Sequence, residues 1–494
     1  MKLREVLAGA AVAEWTADPG VEVTGLAFSS RDVRAGSLFF CVPGARADGH
    51  DFAADAVAAG AAALVVERPL DLEVPQAVVA DARAAMAPAA AAFFGDPTAE
   101  LEVVGITGTN GKTTTAFLLR HVLEAAGTPT GLLGTVKRVV GGAEAEVERT
   151  TPEAIDLQRT FREMLDAGDR ACAMEVSSHA LALRRADGMR FAVAVFTNLT
   201  QDHLDFHASM EEYYAAKALL FAGTPEPPAT CVVNVDDPYG ARLAGELRAA
   251  RRSLLTFSSA GSEADYAASG VDFDVAGTRF VCRAPDGERP VELGIPGHFN
   301  VANALAAIAA AGALGVPTAD AAAALAGAQR VPGRLEPVVE GQPFAVLVDY
   351  AHTPDSLENV LRAARRLGEG RVICVFGAGG DRDREKRPLM GAAAAELADL
   401  AIVTSDNPRS EDPVAIVAEI MAGTDDPAAR AQVEVEVDRR EAIEAAVRAA
   451  RPGDTVVIAG KGHEQGQEFE GGRKLEFDDR DVARQALRAL LAAR

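Results

Sequence analysis

Residues 105–115 read GITGTNGKTTT, and this stretch constrains the fold more than any other in the chain. An apolar strand pattern at residues 101–106 leads directly into the glycines and Gly-Lys-Thr, and an apolar helix pattern begins at Ala116. Backbone N–H groups, a lysine and a helix N-terminus therefore surround one point, which suits the phosphates of a nucleotide. We predict that Lys112 reaches the outer phosphates and that the Thr113 hydroxyl binds Mg²⁺.

The match to the usual phosphate-loop pattern is incomplete. That pattern places a glycine five residues before Gly111, where this chain has Ile106. A tight strand-to-helix turn would also explain the glycines, but it would leave Lys112 unexplained. The strand before the loop and the helix after it favour nucleotide binding.

The composition is typical of a soluble globular protein, with 49% hydrophobic and 24% charged residues in a chain of 494. A chain of this length predicts about three domains. The net charge of −23 argues against a nucleic acid or an anionic membrane as partner, because either would need a basic face. An anionic substrate must then be held by a few local cations, Mg²⁺ included.

Several features predict a cytoplasmic protein. No apolar run reaches the ~18 residues that span a bilayer. The opening segment, MKLREVLAGAAVAEW, predicts an amphipathic helix and not a signal peptide. The five cysteines are scattered, with no metal-ligand spacing or disulfide framework, which is typical of reduced thiols.

The patterns predict three α/β domains. Residues 1–98 alternate short apolar strands with alanine-rich helices and end near a Gly-Asp-Pro linker. Residues 99–334 open with the phosphate loop and continue with near-continuous apolar strands between helices, which predicts a mostly parallel sheet covered on both faces. In residues 335–494 the strand patterns end in Gly, Asp, Asn or Ser, where open α/β sheets bind ligands.

In the middle domain, three residues are candidates for chemistry. Glu175 ends the strand ACAME, so its carboxylate should emerge beside the phosphate loop and could hold Mg²⁺, although a solvent-facing carboxylate would fit the same pattern. His203 lies in the polar loop FTNLTQDHLDFH, where we favour a ligand or catalytic role over a structural one. Lys217, in EEYYAAKALLF, by itself predicts an ordinary solvated helix lysine.

The third domain concentrates basic residues after its strands. These residues are Arg382, Arg384, Lys386, Arg387 and Arg409. An arginine at a strand end can bind a carboxylate with two hydrogen bonds, although Arg409 could equally pair with Glu411 or Asp412 on the surface. Glu464, in GKGHEQG, is an anion that could receive an ammonium group. Together these residues predict a pocket for an amino acid.

These residues, in this order, closely resemble the Mur ligases, the ATP-dependent amino-acid-adding enzymes of peptidoglycan synthesis. The matching segments run through nearly the whole chain. They are TGTNGKTTT, TTPEAIDLQ, MEVSSHALALRR, TNLTQDHLDFH, YYAAKALLF, GHFNVANALAAIAA, VPGRLE, VDYAHTPDSL, GAGGDRDREKRPLMG, DNPRSEDP and AGKGHE. The Thr-Gly-Thr-Asn-Gly-Lys-Thr form of the phosphate loop is also the form of this family.

The resemblance implies a domain for the uridine nucleotide, a central P-loop-type ATPase and a C-terminal Rossmann-like domain. It also implies formation of an amide. ATP would phosphorylate the D-glutamate side chain of UDP-N-acetylmuramoyl-L-alanyl-D-glutamate, and an amine of meso-2,6-diaminopimelate would attack the acyl phosphate. A carboxylate is a poor acyl donor until one oxygen becomes a phosphate leaving group, so this order is chemically reasonable. A monomer that binds neither nucleic acid nor membrane is expected.

The resemblance also implies roles for individual residues. ATP would contact Gly108, Thr109, Asn110, Gly111, Lys112, Thr113, Thr114, Asn303, Arg334 and Asp349. The UDP-muramoyl-dipeptide would contact Phe28, Ser30, Thr150, Thr151, Ser177 and Arg185. The catalytic residues would be Lys112, Glu175, His203 and Lys217. Two Mg²⁺ ions are implied, one at Thr113 and Glu175, the other at His203 and an N6-carboxylated Lys217, because a carbamate is anionic and an ammonium cannot bind a cation.

The residues implied for the added amino acid are Arg382, Asp406, Asn407, Pro408, Arg409, Gly460 and Glu464. In the family, Asp-Asn-Pro-Arg accompanies meso-diaminopimelate, whose distal carboxylate the two arginines hold. Lysine-adding members lack this second arginine, because L-lysine has no carboxylate there. An arginine left unpaired in a buried pocket costs several kcal/mol, so lysine should be rejected.

Two positions depart from the family pattern. Leu183 stands where some relatives have glutamine, and Arg149 stands where some have asparagine. Three alternatives remain: a lysine-adding ligase, a folylpolyglutamate synthase, and a P-loop regulatory protein that hydrolyses nucleotide without ligation. Arg409 counts against the first, and residues 1–98 count against the second. A requirement for both other substrates in ATP turnover would exclude the third.

Overall fold

The computed structural model describes residues 1–44, 47–147, 149–223, 225–425 and 429–493. Within them, the predicted α/β class with mostly parallel sheets is confirmed. The chain divides into two compact units. Unit 1 comprises Met1–Thr107, Leu123–Val195 and Ala215–Cys231, and unit 2 comprises Gly108–Val122, Phe196–Tyr214 and Val232–Arg494. The predicted domain boundaries after residues 98 and 334 stay predictions.

The helices and strands follow one another closely along the chain. The helices are α1 Leu3–Val6, α2 Ala53–Ala58, α3 Ala82–Phe93, α4 Lys112–Ala125, α5 Ala154–Asp166, α6 Ser178–Ala182, α7 Met210–Ala222, α8 Pro238–Ala249, α9 Phe299–Ala313, α10 Thr318–Leu325, α11 Pro354–Leu367, α12 Lys386–Leu397, α13 Pro413–Met421, α14 Arg439–Ala449 and α15 Asp479–Ala492. The strands up to residue 234 are β1 Val12–Trp15, β2 Gly25–Ala27, β3 Ser37–Phe40, β4 Ala63–Val66, β5 Gln76–Val79, β6 Glu102–Thr107, β7 Thr130–Leu133, β8 Arg138–Val140, β9 Ala143–Ala145, β10 Ala171–Glu175, β11 Val193–Phe196 and β12 Thr230–Asn234. The later strands are β13 Leu254–Ser258, β14 Tyr266–Asp274, β15 Gly277–Ala284, β16 Gly287–Leu293, β17 Glu336–Pro337, β18 Ala345–Asp349, β19 Val372–Phe376, β20 Leu400–Val403, β21 Gln432–Val435, β22 Thr455–Ala459, β23 Gly466–Glu468 and β24 Lys474–Glu476.

Unit 1 begins with a five-stranded sheet in the order β1-β5-β4-β3-β2. Only β1 runs antiparallel to its neighbour. Alternate residues of a strand face opposite sides of the sheet, so Phe39 and Phe40 of β3 are buried in separate apolar clusters. The prediction of one amphipathic helix over the N-terminal segment is wrong. The helix ends at Val6, and Val12–Trp15 pairs with β5 as a strand.

Unit 1 also contains the strands that carry the phosphate loop. Their order is β11-β6-β10-β7-β8-β9. β10 lies between β6 and β7 and is parallel to both. In this register Glu175, the last residue of β10, is opposite Ile106 of β6. The carboxylate therefore lies at the edge from which the phosphate loop leaves the sheet.

Unit 2 contains a series of strands in the order β12-β13-β14-β15-β16 and a six-stranded sheet in the order β17-β18-β22-β19-β20-β21. In the six-stranded sheet, β17 is antiparallel to β18 and the other pairs are parallel. Alternating residues of β19 enter different apolar clusters, so both faces of this sheet are buried. The carboxyl ends of β18, β19, β20 and β22 consequently meet at one edge, where open α/β sheets bind ligands. No helix in the described ranges is long and apolar enough to cross a membrane.

Candidate active site

The phosphate loop of unit 2 requires glycine at two positions. Gly108 and Gly111 both have left-handed φ values, 149° and 87°. A Cβ on Gly108 would lie 1.8 Å from Thr197 Oγ1, and one on Gly111 would lie 2.3 Å from Asn303 Oδ1. The helix that follows begins at Lys112, four residues before the position expected from its apolar pattern. The N-terminus of this helix is the kind of position that favours an anion.

Lys112 is folded back over this loop. Its Nζ donates hydrogen bonds to the carbonyl oxygens of Gly108, at 2.9 Å, and Thr109, at 2.8 Å. Asn110 is fixed by a hydrogen bond from its backbone N–H to Asn198 Oδ1 at 2.9 Å. A cation thus already lies where the loop would receive the phosphates of a nucleotide.

Predicted nucleotide residues from three distant segments meet in unit 2. Arg334 Nη2 donates to Thr113 Oγ1 at 3.0 Å, and its guanidinium lies over the Tyr350 ring at 4.5 Å. Asp349 accepts a hydrogen bond from Leu335 N at 2.7 Å. Burial raises the pKa of Asp349 above its ordinary value, against the opposing charge of Arg334. With Asn303 beside Gly111, the structure brings this predicted set together.

A buried ionic cluster adjoins His203 in unit 2. Lys386 Nζ donates to Asp202 Oδ1 at 3.0 Å, and ring nitrogens of His203 and His352 lie 3.4 and 3.8 Å from Asp202 Oδ2. Burial alone would raise the pKa of Asp202, but the charge of Lys386 and the two histidines hold it well below its usual range. Burial and Lys386 lower the pKa of His352 to about 4. Sequence reasoning did not identify Asp202 as the centre of this cluster, because Lys386 is 184 residues away.

Glu175 of unit 1 is buried and held by Thr135. Its Oε1 accepts from Thr135 N at 2.8 Å and its Oε2 from Thr135 Oγ1 at 3.0 Å. Thr135 Oγ1 also lies 3.0 Å from Thr150 Oγ1. Thr151 Oγ1 donates to the Glu175 carbonyl at 3.0 Å and accepts from Ser177 N at 3.1 Å. Four predicted residues therefore lie together, and Thr135 is an addition that the sequence did not indicate.

Arg185, also in unit 1, belongs to a cluster of three arginines around one buried carboxylate. Glu153 Oε1 lies 2.9 Å from Arg185 Nε and 3.2 Å from Arg149 Nη1, and its Oε2 lies 2.8 Å from Arg83 Nη1. Arg149 is the residue that departs from the family pattern, so its contact is now defined. Neither Glu153 nor Arg83 was predicted. Phe28 packs against the apolar cluster that contains Ala154 and Ile155, and Ser30 begins the short turn Ser30–Asp32.

Most of the basic residues that the sequence singled out in the third predicted domain are paired with carboxylates. Arg387 is buried between Glu411 and Glu419, each 2.8 Å from its nearest guanidinium nitrogen. Arg384 also pairs with Glu419. Arg382 has no carboxylate partner among the described residues, and its Nη1 donates to the Asp381 carbonyl at 2.7 Å. Carboxylates therefore balance most of the positive charge in this group, and Arg382 is the main exception among the described residues.

The predicted amino-acid loop at residues 406–409 is held by buried polar contacts. Lys461 Nζ donates to Asn407 Oδ1 at 2.9 Å and to Glu464 Oε2 at 3.0 Å. Lys461 holds the pKa of buried Asp406 below its usual value, although burial alone would raise it. A Cβ on Gly460, where φ is 119°, would lie 2.4 Å from Asp406 Oδ2. Asp406, Asn407, Gly460 and Glu464 are thus brought together as predicted.

Arg409 lies at the end of the same loop and does not pair with Glu411 or Asp412. Its Nε donates to Glu468 Oε2 at 3.0 Å and its Nη1 to the Gly380 carbonyl at 2.8 Å. Asp412 instead caps α13 by accepting from Val414 N, with Pro413 at the first helical position. Glu468 was not among the predicted residues.

Three family descriptions match consecutive parts of the chain. The Mur ligase catalytic domain matches residues 22–105, the Mur ligase middle domain matches residues 106–311, and the Mur ligase glutamate ligase domain matches residues 333–462. The chain belongs to the Mur ligase family.

Relatives similar over nearly the whole chain agree with this assignment. The chain is 49% identical over 480 residues to a Streptomyces coelicolor protein named UDP-N-acetylmuramoyl-L-alanyl-D-glutamate–2,6-diaminopimelate ligase, covering 95% of this chain and 94% of that protein. It is also 49% identical over 473 residues to a protein of the same name from Geobacillus kaustophilus, covering 94% and 95%.

Solved structures show the same fold. A structure of a UDP-N-acetylmuramoyl-L-alanyl-D-glutamate–2,6-diaminopimelate ligase has a TM-score of 0.70 and 33% identity, covering 99% of each chain. A MurF structure from Acinetobacter baumannii has a TM-score of 0.68 at 22% identity, covering 100% of this chain and 99% of that one. A folylpolyglutamate synthase from Mycobacterium tuberculosis, with a TM-score of 0.61 and 20% identity, covers 83% of this chain.

In this Mur ligase the local expectation for Lys217 is wrong. Its helix, Met210–Ala222, suggested a solvated lysine, but only 1% of the residue is exposed. A lysine on a solvated helix face keeps its ammonium in water. The buried position suits a lysine with a special role, which only the family resemblance had indicated.

Proposed function

We propose that this Mur ligase joins meso-2,6-diaminopimelate to UDP-N-acetylmuramoyl-L-alanyl-D-glutamate in an ATP-dependent reaction. The relatives of about half-identical sequence carry the corresponding name, and the match extends over nearly their full length. The observation that carries the choice of amino acid is Arg409, which is held in the loop after β20 and keeps guanidinium N–H groups without a partner among the described residues. The lysine-adding alternative would leave this residue without a substrate contact.

The reaction proceeds through two transfers. The γ-phosphoryl group of ATP passes to an oxygen of the D-glutamate side-chain carboxylate, and ADP leaves. The neutral amine of diaminopimelate then attacks the acyl carbon, the C–O bond to phosphate breaks, and the amine loses a proton. Lys112 offsets the negative charge of the transferred phosphoryl group in both steps.

Two Mg²⁺ ions suit the chemistry of this site, because they would neutralise the phosphates as the two anions approach. Thr113 and Glu175 would hold one ion, and His203 and carbamylated Lys217 the other. Glu175 supports this assignment, since its buried carboxylate is held in place at the end of β10 by Thr135. The burial of Lys217 supports a modified side chain in contact with an ion.

Lys217→Ala tests the carbamate. The variant should lose at least about a hundredfold in kcat and regain part of it in acetate, because a short carboxylate can replace the carbamate. A Lys217→Ala variant as active as the unsubstituted protein would show that the carbamate has no role in catalysis.

The muramoyl-dipeptide end would meet the hydroxyls and backbone around Thr150, Thr151 and Ser177, with Arg185 beside them. Three arginines surround a single carboxylate in that region, so an excess of positive charge faces an anionic substrate. Phe28 and Ser30 would contact the uridine part. These contacts would hold the D-glutamate end of the substrate in one orientation.

The amino acid would be recognised at its distal centre. Arg409 and Arg382 would bind the distal carboxylate, and Glu464 and Asn407 would bind the ammonium group near it. A cytoplasmic location is proposed with this role, and the five cysteines, all free and buried, are consistent with reduced thiols. We propose a monomer.

Phosphate release from ATP tests the proposed function directly. The reaction is run with UDP-N-acetylmuramoyl-L-alanyl-D-glutamate and either meso-diaminopimelate or L-lysine, and with each component omitted in turn. Turnover that requires the UDP substrate and prefers diaminopimelate is expected. Preference for lysine would retain the family and reject the role given to Arg409. Turnover with neither amino acid would reject the ligase function.

A further inference from the structure

A hairpin beyond the family-matched segment packs on the predicted amino-acid loop. The match to the glutamate ligase domain ends at residue 462. The hairpin follows it, with Gly466–Glu468 antiparallel to Lys474–Glu476. We call it the C-terminal hairpin, and none of the motifs that identified the family includes it.

The first strand of the C-terminal hairpin is hydrogen-bonded along the loop. Gln467 Nε2 donates to the Asp406 carbonyl at 2.7 Å, and Glu468 N donates to Asn407 Oδ1 at 2.9 Å. Arg409 N in turn donates to the Glu468 carbonyl at 3.0 Å. Gln467 is 7% exposed, so these bonds are largely screened from water. The backbone of the loop is therefore aligned by the hairpin.

The Glu468 side chain extends this alignment to the guanidinium of Arg409. Glu468 Oε2 accepts from Nε at 3.0 Å, while the Gly380 carbonyl accepts from Nη1 at 2.8 Å. A Cβ on Gly379 would lie 3.0 Å from Nη1, so the turn at these glycines closes the other side. Nη2 donates no hydrogen bond to any residue that the structure describes. One N–H of Nη1 and both of Nη2 remain for a ligand.

We propose that Glu468 is a positioning residue, which holds Arg409 by Nε and so presents the Nη1 and Nη2 edge to the distal carboxylate of the added diamino acid. This inference rests on the proposed function. A carboxylate binds that edge with two parallel hydrogen bonds, and their geometry tolerates little rotation of the guanidinium. Loss of Glu468 would free the Arg409 side chain to rotate. Binding of the substrate would then have to immobilise that side chain again, at a cost in affinity.

The same contact changes how lysine is rejected. With lysine bound, Arg409 would keep Glu468 and Gly380 as partners and would not become a lone buried cation. The preference then comes from the two hydrogen bonds gained with diaminopimelate, and not from a penalty paid with lysine. The expected preference is about ten- to a hundredfold in kcat/KM, the range for hydrogen bonds to charged groups.

Glu468→Ala and Glu468→Gln show whether Glu468 positions Arg409 or competes with the substrate carboxylate for it. A glutamate that merely competed with the substrate carboxylate would lower the KM for diaminopimelate when removed. Positioning predicts the reverse. The KM should rise about tenfold in Glu468→Ala and about threefold in Glu468→Gln, whose amide oxygen still accepts from Nε, with kcat within about twofold.

The KM values are measured by phosphate release at saturating ATP and UDP substrate. Glu476→Gln is the matched control, because Glu476 is an exposed acidic residue of the same hairpin. It should leave the KM unchanged. In an Arg409→Ala background, Glu468→Ala should have no further effect, since the two residues act through one contact. If Glu468→Ala does not fold, Glu468→Gln tests the direction alone.

An unchanged or lower KM for diaminopimelate in the Glu468 variants would overturn the inference. So would an equal rise in Glu476→Gln, or an additive effect in the double variant. An unsubstituted protein that is inactive with both amino acids would instead reject the proposed function. The two failures are therefore distinguishable.

Discussion

Two arginines with the same predicted task, holding a substrate anion, have different surroundings in unit 1 and unit 2. Arg185 shares with two other arginines the carboxylate of Glu153, which is 5% exposed. Arg409 alone pairs with the carboxylate of Glu468, which is 44% exposed. The cluster around Glu153 has more cations than anions and is centred on a buried carboxylate. Arg409 is a single side chain that contacts one partly exposed carboxylate. Burial of the acidic partner thus separates a structural hub from a positioning contact.

The largest effect is expected from removing the buried hub. Glu153→Ala leaves Arg185, 15% exposed, without its ionic partner, so the free energy of unfolding should fall by about 3 kcal/mol. Urea denaturation measures the loss. Glu163→Ala, in the helix that follows Glu153 and 47% exposed, is the control and should change stability little. Equal stability of the two variants would show that the Glu153 cluster does not stabilise the fold, and that it does not differ in this respect from the Arg409 contact.

Removing Arg409 should affect substrate use and not stability. Arg409→Ala should lower kcat/KM for diaminopimelate by up to about a hundredfold, because two hydrogen bonds to a carboxylate are lost. The melting temperature should change little, since the residue is near the surface of its unit at 24% side-chain exposure. Arg473→Ala, on the C-terminal hairpin, is the control. A fall in melting temperature as large as that of Glu153→Ala would make Arg409 a framework residue as well.

A smaller effect is expected at the outer member of the three-arginine cluster. Arg149 is 55% exposed, and exposed ion pairs contribute about 0–1 kcal/mol. Arg149→Asn, which introduces the residue found in some relatives, should therefore change stability by less than about 1 kcal/mol. The KM for the UDP substrate should stay within about threefold. A tenfold rise would show that Arg149 binds the substrate and is more than an outer partner of Glu153.

The last effect concerns acid stability near the amino-acid loop. Hydrogen bonds from Arg387 lower the pKa of Glu411 from 4.5 to about 2. A carboxyl group whose folded pKa is depressed stabilises the protein above its unfolded pKa, and this contribution disappears as pH falls through the folded pKa. The difference in melting temperature between the unsubstituted protein and Glu411→Gln should therefore narrow between pH 5 and about pH 2. A constant difference would contradict this interpretation of the Arg387 cluster.

The parts of the site that could be predicted from sequence lie at the ends of parallel strands. Glu175 follows one buried strand and the phosphate loop another, so a parallel register brings them to one edge whatever else the chain does. Ser177 follows β10 and donates through its backbone N–H to Thr151, which lies in the segment before α5. The N-terminal segment differs from its prediction because helical and strand patterns are similar over a few residues, and pairing with β5 makes Val12–Trp15 a strand.

Contacts between distant segments could not be predicted. Glu153 and Arg83 are 70 residues apart, and Arg409 and Glu468 are 59 apart. A charged side chain on a helix or hairpin has the same local pattern whether it meets an ion partner or water. Lys217 shows this most clearly, because its helix pattern indicated solvent and its side chain is buried.

The order of glycines, strands and strand-end polar residues determined the family, the α/β class and the sheet edges where we propose that substrates bind. These features depend on backbone conformation and on the alternation of side chains, which short segments specify. Tertiary structure decided which charged groups are partners and which donors remain for a ligand. That choice depends on burial, since the same arginine and glutamate attract each other weakly in water and strongly where water is excluded.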